Sequence, residues 1–571
     1  MSLILGVNMS GRDSSAAILE GGRVRFAVRE ERLNREKKTR RFPMMAIGAC
    51  LKSAGVGLEG VDRVAISWNP TINMERFNSA QSSVARYKPE HFYAVPSHLM
   101  LLMPPAASVS AEQRFRFDNG AALDISYVNH HLCHAADSFL QSPYEEAGIL
   151  ILDAYGEKDS VTFARGRGTR IETLKTIQFP HSLGSFYGTM TQFLGFTPDL
   201  DEWKVLGASP YGNADRFYPQ LRQLFRLLDD GSFEIDLSYF EYPLFTRPLM
   251  YSDKLVGLLG PARSGDADLV ERDYDLAAAT QRVTEEVSFH LLRHLHRLTG
   301  GEKVCVSGGV AMNCVLNGKV PAHTPFTDVF VGSSADDGGT SVGAALYAAA
   351  QSPDFHRQAA TDNYWGPGFC DDEIERELTR YGVAHRRVAD PAVEGAERIA
   401  SGQIVGWFQG RVEFGERALG NRSILADPRE ASMKDRVNSA IKYREAFRPF
   451  APSIVEEAMG EYFENPVPVP FMEKALMIKQ EKRAAIPAVT HVDGSGRVQT
   501  VRRDVNPLYW TLITEFQKRT GIPVVLNTSF NLQGEPIVTS PKDAIRTFFS
   551  SGLDALIMGT FVVEKQPSAG R

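Results

Sequence analysis

A strand, a turn of small residues and a second strand occur twice in this chain, and that duplication limits the folds open to it. SLILGVN is followed by the hydroxyl-rich turn MSGRDSS and the strands AAILEGG and RVRFAVREE. From Gly148, GILILDAYGEKDSVTFARGRG repeats strand, acidic turn, strand and glycine turn. Continuous or alternating apolar runs bounded by Gly, Ser and Asp predict β-hairpins. A further strand, VDRVAISWN, follows a predicted helix. Helical segments are predicted between the two copies, among them NHHLCHAADSF at 129–139.

Residues 274–300 carry apolar side chains at three- and four-residue spacing and end in Gly300, which predicts a long amphipathic helix. Strand KVCVSGG, a helix begun by VAMNCVLNGKV, strand DVFVGSS and a helix opened by DDGGTSVGAALYAAA follow in order. At 571 residues the chain is too long for one core. The glycine-marked break NYWGPGF marks a change of motifs, and two α/β domains are expected, 1–355 and 356–571.

Composition narrows the class. A formal net charge of −6 offers no basic surface for nucleic acid. Five scattered cysteines, none spaced C-x-x-C, argue against a disulfide framework or a structural zinc site. The start MSLILGVNMSG lacks a basic n-region and a long apolar stretch, and the apolar run HLMLLMPP is too short to span a bilayer. A cytoplasmic protein, monomeric or homodimeric and without a membrane partner, is expected.

Four loops of the first domain, GVNMSGRDSS, LDAYGEKDS, VSGGVAMN and SSADDGGTSVGAA, combine small residues with an adjoining helix or strand end. Exposed backbone N–H groups and helix N-termini suit phosphates. Four such loops on a duplicated strand framework resemble the ATP-binding loops of the actin, hexokinase and Hsp70-type ATPase superfamily.

Three of the thirteen histidines fall within residues 130–134. On a helix, His130 and His134 share one face, while His131 and Cys133 point elsewhere. The spacing matches H-E-x-x-H zinc enzymes, but His131 stands where the general-base Glu belongs, which disfavours a metalloprotease. The segment NHHLCH, followed by SGGVAMN and DDGG, resembles the Kae1-type ATPases of tRNA threonylcarbamoyl transfer. That resemblance implies a metal held by His130, His134 and Asp336, with Asp153 as a fourth ligand. Asp337 replaces the family's Asn, which leaves open which of the two aspartates ligates. Iron(II), zinc or manganese would suit such a donor set. Gly308, Gly309, Asn313 and Asp337 are expected at the nucleotide, and Ser10 and Asp13 of the first loop at phosphate or acceptor.

The second domain carries GWFQGRVEFGERALGNRSILADPR, NSAIKYREAFRPFAPSI and VVLNTSFNLQGEPIV. These hold Arg411, Arg417, Arg422, Arg429, Lys442, Arg444 and Arg448, with Asn527, Ser529 and Asn531 in a strand-end loop. Arginine forks among Gly, Phe, Leu and Pro point to a buried oxyanion pocket rather than a solvated face. EFGERALGNRSIL, FRPFAPS and NTSFN resemble the nodulation-type O-carbamoyltransferases, and the likeness runs over essentially the whole chain.

The family likeness implies a duplicated actin/Hsp70-type (Kae1-like) domain that transfers the carbamoyl group, followed by an α/β YrdC-like domain that makes carbamoyl adenylate from carbamoyl phosphate and ATP with Mg²⁺. Arg417, Lys442, Arg448 and Ser529 are the expected groups for carbamoyl phosphate and developing negative charge, with Asn527 and Asn531 beside them. His131, Asp153 or a neighbouring Asp would take the proton of an acceptor hydroxyl. Members acting on aminoglycosides resemble the chain most, and Asp199, Asp201 and Glu202 are candidates to meet ammonium groups.

Two other readings are open. A tRNA threonylcarbamoyl-type enzyme shares both domain types but calls for a basic surface. A sugar kinase or a nucleotide-binding regulator would leave the histidine pair and the arginine-rich strings without a task.

Overall fold

The computed structural model describes residues 2–9, 13–69, 110–244, 248–265, 267–442, 447 and 449–565. The chain divides into two compact units, one of 1–30 and 38–360, the other of 31–37 and 361–571.

The first unit is built on two sheets. One holds β1 (Leu3–Asn8), β2 (Ser15–Glu20), β3 (Arg23–Arg29), β4 (Arg63–Ile66), β5 (Ser110–Arg116) and β6 (Ala122–Val128), in the order β3-β2-β1-β4-β6-β5. The other holds β7 (Glu146–Leu152), β8 (Asp159–Arg167), β9 (Arg170–Gln178), β12 (Lys303–Ser307) and β13 (Asp328–Val331), in the order β13-β12-β7-β8-β9. Between β9 and β12 in sequence comes a small hairpin, β10 (Phe225–Leu227) and β11 (Phe233–Ile235).

Directions repeat as well as order. β1, β2 and β3 form an antiparallel meander, and β1, β4 and β6 run parallel. β7, β8 and β9 form the second meander, and β7, β12 and β13 run parallel. The duplication expected from the two strand-turn-strand copies is therefore the plan of this unit. The edge strand β5, antiparallel to β6, is an addition to the first copy, in a stretch read from sequence as helical.

The helices Thr340–Ala349 and His130–Phe139 pack together and against this framework. Their approach depends on a bare backbone at Gly343, where a Cβ would stand 1.9 Å from the Cys133 carbonyl oxygen. The long helix is Glu271–Thr299, ended by Gly300 in the left-handed conformation, as its periodicity predicts. No helix among the described residues is long and apolar enough to cross a membrane.

The second unit contains β14 (His385–Arg387), β15 (Val405–Phe408), β16 (Arg422–Ala426), β17 (Ala451–Val455), β18 (Ala475–Met477), β19 (Ser495–Arg497), β20 (Gln499–Val501), β21 (Val524–Ser529), β22 (Ala555–Met558) and β23 (Phe561–Glu564). Eight of them form one mixed sheet, β14-β23-β22-β15-β16-β21-β17-β20, and β18 pairs with β19. A continuous apolar cluster runs through Trp407, Phe516 and Phe548. Both units are α/β.

Candidate functional site

In the first unit, chemistry-bearing side chains gather at the carboxyl ends of the parallel strands, where open α/β sheets commonly place ligands. Asn129 follows β6 and caps the histidine helix, its side-chain oxygen accepting from Leu132 N at 2.9 Å. Asp153 follows β7, Ser67 follows β4, Ser307 ends β12, and Asp337 lies in the loop beyond β13.

The helix turns the Nε2 atoms of His130 and His134 to within 3.1 Å of each other. Asp153 Oδ2 lies 3.4 Å from His130 Nε2 and 3.8 Å from His134 Nε2. Asp337 Oδ1 lies 3.5 and 3.7 Å from the same two atoms. One ligand atom from each of the four residues falls within 4.8 Å of all the others. A tetrahedral cation bonded at about 2.1 Å separates its ligand atoms by about 3.4 Å, so these spacings fit a first-row divalent ion. Two ring nitrogens facing one point repel each other unless a proton or a cation stands between them. Two imidazoles and two carboxylates suit iron(II), zinc or manganese, and a six-coordinate ion would keep open positions.

The remaining ring nitrogens are fixed from behind. His130 Nδ1 lies 3.2 Å from the Ser67 carbonyl, and His134 Nδ1 lies 3.3 Å from Ser307 Oγ. Such partners set the tautomer and leave Nε2 to the site. Asp153 Oδ1 accepts from Ala154 N at 2.8 Å and Gly309 N at 3.3 Å, which aims Oδ2 at the histidines. Burial opposes a charged His130, yet hydrogen bonding to Asp153 and Asp337 outweighs it and holds its pKa well above the ordinary value. Burial likewise opposes charge on Asp153, but the histidines hold its carboxyl well below the usual range.

The sequence did not point to Glu157. This buried carboxylate accepts from Asn69 N at 2.7 Å, His130 N at 3.0 Å and Asn129 Nδ2 at 3.0 Å. It ties the start of the histidine helix to the segment that carries Ser67, and burial pushes its pKa up to about 7. His131, placed off the shared face by helical angle, still ends near the group, with Nε2 4.0 Å from Asp153 Oδ2. Its Nδ1 meets Thr162 Oγ1 at 2.8 Å, and burial pushes its pKa down to about 3. Cys133 Sγ turns away, toward the Val128 carbonyl.

Asp336 is not beside the histidines, which corrects the first choice of ligand. It receives both Arg29 guanidinium nitrogens, at 2.9 and 2.6 Å, and lies 3.5 Å from Lys38 Nζ. Asp337, the next residue around the turn, takes the place at the cluster. Asp13 accepts from Lys38 Nζ at 2.6 Å, and Ser10 lies outside the described residues. Gly308 and Gly309 follow β12. Asn313 is committed to the fold, its Oδ1 capping Leu316 N at 3.0 Å and its Nδ2 donating to Gln281 at 2.8 Å. Of the three expected ammonium partners, Asp201 pairs with Lys204 at 3.2 Å and Glu202 accepts from Asp199 N at 2.5 Å. Asp199 is exposed and its carboxylate lies 3.9 Å from Arg40 Nη2.

The arginines of the second unit divide by burial. Arg422 is fully buried, donates to the carbonyls of Gln409 and Asn421, and lies over the Phe408 ring at 3.6 Å. Burial pushes its pKa down to about 9. Arg429 forks onto Asp427 at 2.6–3.0 Å, and Arg411 donates to the carbonyls of Trp365 and Gly366. All three serve the scaffold. Arg417 is half-buried, and no hydrogen bond or ion pair engages its guanidinium among the described residues.

Lys442 ends the π-turn Asn438–Lys442, while its side chain, Arg444 and Arg448 lie outside the described residues. Asn527 is buried and spends its Nδ2 on Ala418 O, Ser453 Oγ and Gln499 Oε1 at 3.0–3.1 Å, so it braces the fold. Ser529 donates to Asn531 Oδ1 at 2.7 Å at the half-buried end of β21.

Comparison with known proteins places these units. Residues 3–346 match the Carbamoyltransferase N-terminus family and residues 396–565 the Carbamoyltransferase C-terminus family. The chain is 39% identical to the nodulation protein NolNO of Sinorhizobium fredii over 567 residues, covering 98% of this chain and 79% of that protein. It is 40% identical to the nodulation protein NolO of Bradyrhizobium diazoefficiens over 449 residues, covering 77% of this chain and 80% of that one. It is 35% identical over 260 residues to the 3'-hydroxymethylcephem-O-carbamoyltransferase of Amycolatopsis lactamdurans, covering 45% of this chain and 48% of that enzyme. The expected resemblance holds over both units, and the chain belongs to the carbamoyltransferase family of enzymes.

Proposed function

We propose that the protein is an ATP-dependent O-carbamoyltransferase that moves the carbamoyl group of carbamoyl phosphate, through carbamoyl adenylate, to a hydroxyl of a small-molecule acceptor. The observation that carries this reading is the convergence of His130, His134, Asp153 and Asp337 at the strand ends of the duplicated unit. Neither a sugar kinase nor a regulator needs that donor set.

In the reading we favour, the second unit is the YrdC-like activating domain. Loss of phosphate from carbamoyl phosphate, with water, leaves carbamate. A carbamate oxygen then attacks the α-phosphorus of Mg²⁺-ATP, and pyrophosphate departs. Arg417, with no partner among the described residues, would receive carbamoyl phosphate, together with Lys442, Arg448 and Ser529, and balance charge as it develops. In the first, Kae1-like unit the acceptor hydroxyl attacks the carbamoyl carbon, the bond to AMP breaks, and a proton leaves the hydroxyl. A bound iron(II), zinc or manganese ion would supply Lewis acidity there. His130 and His134 hold the site's ring nitrogens in one orientation, through Ser67 and Ser307. Asp153, His131 or a neighbouring Asp would take the proton. Gly308, Gly309 and Asp13 would lie along the nucleotide or acceptor. An aminoglycoside is the specific acceptor we infer, from the likeness of the chain to members acting on aminoglycosides.

Incubation with ATP, carbamoyl phosphate and iron(II) should release pyrophosphate, and added aminoglycosides should gain one carbamoyl group in mass. Absence of pyrophosphate under these conditions would sink the reading. Carbamoylation of neutral sugars alone would remove the aminoglycoside.

A further inference from the structure

Arg417 stands in the connection from β15 to β16, residues 409–421, and the backbone around it is gripped from the buried side. Glu413 is fully buried, and its Oε1 accepts from Leu419 N at 2.7 Å, Asn421 N at 2.8 Å and Arg422 N at 3.2 Å. The carbonyls are held too. Gly415 O accepts from Arg32 at 2.8 Å, Ala418 O from Asn527 at 3.1 Å, and Gly420 O from Trp407 Nε1 at 2.8 Å. Leu419 O accepts from both Gln499 and Tyr364 at 2.8 Å. Gly420 closes the turn at φ 101°, where a Cβ would come within 2.2 Å of the Tyr509 ring.

We propose that Glu413 is a positioning residue that presets Arg417 for its anion by gathering three N–H groups of the Arg417 loop onto one oxygen. The proposal rests on the reading that Arg417 binds carbamoyl phosphate. A guanidinium fork gains from a fixed angle of approach, because a bidentate anion contact needs both nitrogens in one plane. With no partner among the described residues, Arg417 takes that angle from its backbone. Glu413 reaches the backbone just beyond Arg417 at three points through one atom, and a side chain shorter by one carbon cannot hold all three. What matters is then where the acceptor oxygen stands, not the charge it carries. Glu413 Oε2 has no hydrogen-bond partner among the described residues, so an amide nitrogen in its place forfeits none.

The test compares Glu413→Asp, Glu413→Gln, Arg417→Ala and the double variant Glu413→Asp/Arg417→Ala in the full chain, by calorimetric titration with carbamoyl phosphate and by thermal unfolding. Arg417→Ala should weaken binding by about tenfold to a hundredfold, the range for a lost charge-assisted contact. Glu413→Asp should weaken it by about tenfold, and the double variant should bind no worse than Arg417→Ala alone, because Glu413 acts through Arg417. Glu413→Gln should restore affinity relative to Glu413→Asp, though its unfolding midpoint falls because buried Arg422 loses a neighbouring counter-charge.

Parent-like binding by Glu413→Asp, or weaker binding by Glu413→Gln than by Glu413→Asp, overturns the proposal. Additive losses in the double variant also overturn it. If Glu413→Asp does not fold, the Gln variant decides alone, since loss of its affinity contradicts the acceptor role. Unchanged binding by Arg417→Ala removes instead the assignment of Arg417 as the anion's partner.

Discussion

His130 and His134 hold their Nε2 atoms 3.1 Å apart, with each Nδ1 engaged from behind. Two buried ring nitrogens this close repel each other unless a proton or a cation stands between them, and the proposed function puts a cation there. His134→Ala should therefore lose a bound divalent metal and carbamoyl transfer while leaving ATP- and carbamoyl phosphate-dependent pyrophosphate release in place. Metal content by elemental analysis, beside a pyrophosphate assay, checks both halves. Equal loss of the two activities would contradict a separate metal-bearing transfer site.

Asp336 and Asp337 are neighbours with opposite tasks. Asp336→Asn takes the two-point carboxylate from the buried Arg29 guanidinium, leaving Asp13 Oδ1 at 3.4 Å, and should cost about 3 kcal/mol of stability. Asp337→Asn should keep the fold and weaken metal binding. Urea unfolding and metal titration of the two variants separate them, and a reversed pattern would exchange the roles.

Glu157→Gln replaces one of two accepting oxygens by a donor facing the Asn129 amide or the backbone N–H groups. His130 then loses its fixed position. Removing a partner of this kind typically costs about 10- to 100-fold in metal affinity, which competition with a chelator would measure.

Asp159 is buried in β8 with Oδ1 unpartnered among the described residues, and burial pushes its carboxyl from 3.8 up to about 6. A folded-state pKa above the unfolded one means that stability is fullest below pH 3.8 and falls as pH rises through about 6. Near two pKa units, the loss reaches about 3 kcal/mol. Asp159→Asn should gain up to that amount at pH above 7 and almost nothing near pH 4, read from urea midpoints across the range. A gain confined to acid pH would reverse the assignment.

Arg417 and Arg422 share one motif and differ in burial. Arg422→Met strands the carbonyls of Gln409 and Asn421 and should cost about 3 kcal/mol or more. Arg417→Ala should shift stability by no more than about 0.5 kcal/mol and abolish pyrophosphate release. Thermal unfolding and the pyrophosphate assay together distinguish scaffold from site.

Strand and helix alternation, the duplicated meander and the His130/His134 pair were legible in the chain because they are local. Apolar periodicity states the element, and four-residue spacing states the shared face. The whole-chain family likeness was legible in contiguous strings such as EFGERALGNRSIL. Choosing Asp337 over Asp336 was not local, since neighbours on a turn face different ways and Arg29, far back on β3, claims one of them. Ser67, Glu157 and Ser307 come from separate strand ends and meet the histidines only when both sheets are formed. The arginines divide for the same reason. Charge is written in the sequence, but burial, which makes Arg422 a brace and leaves Arg417 open, is a property of the packed sheet alone.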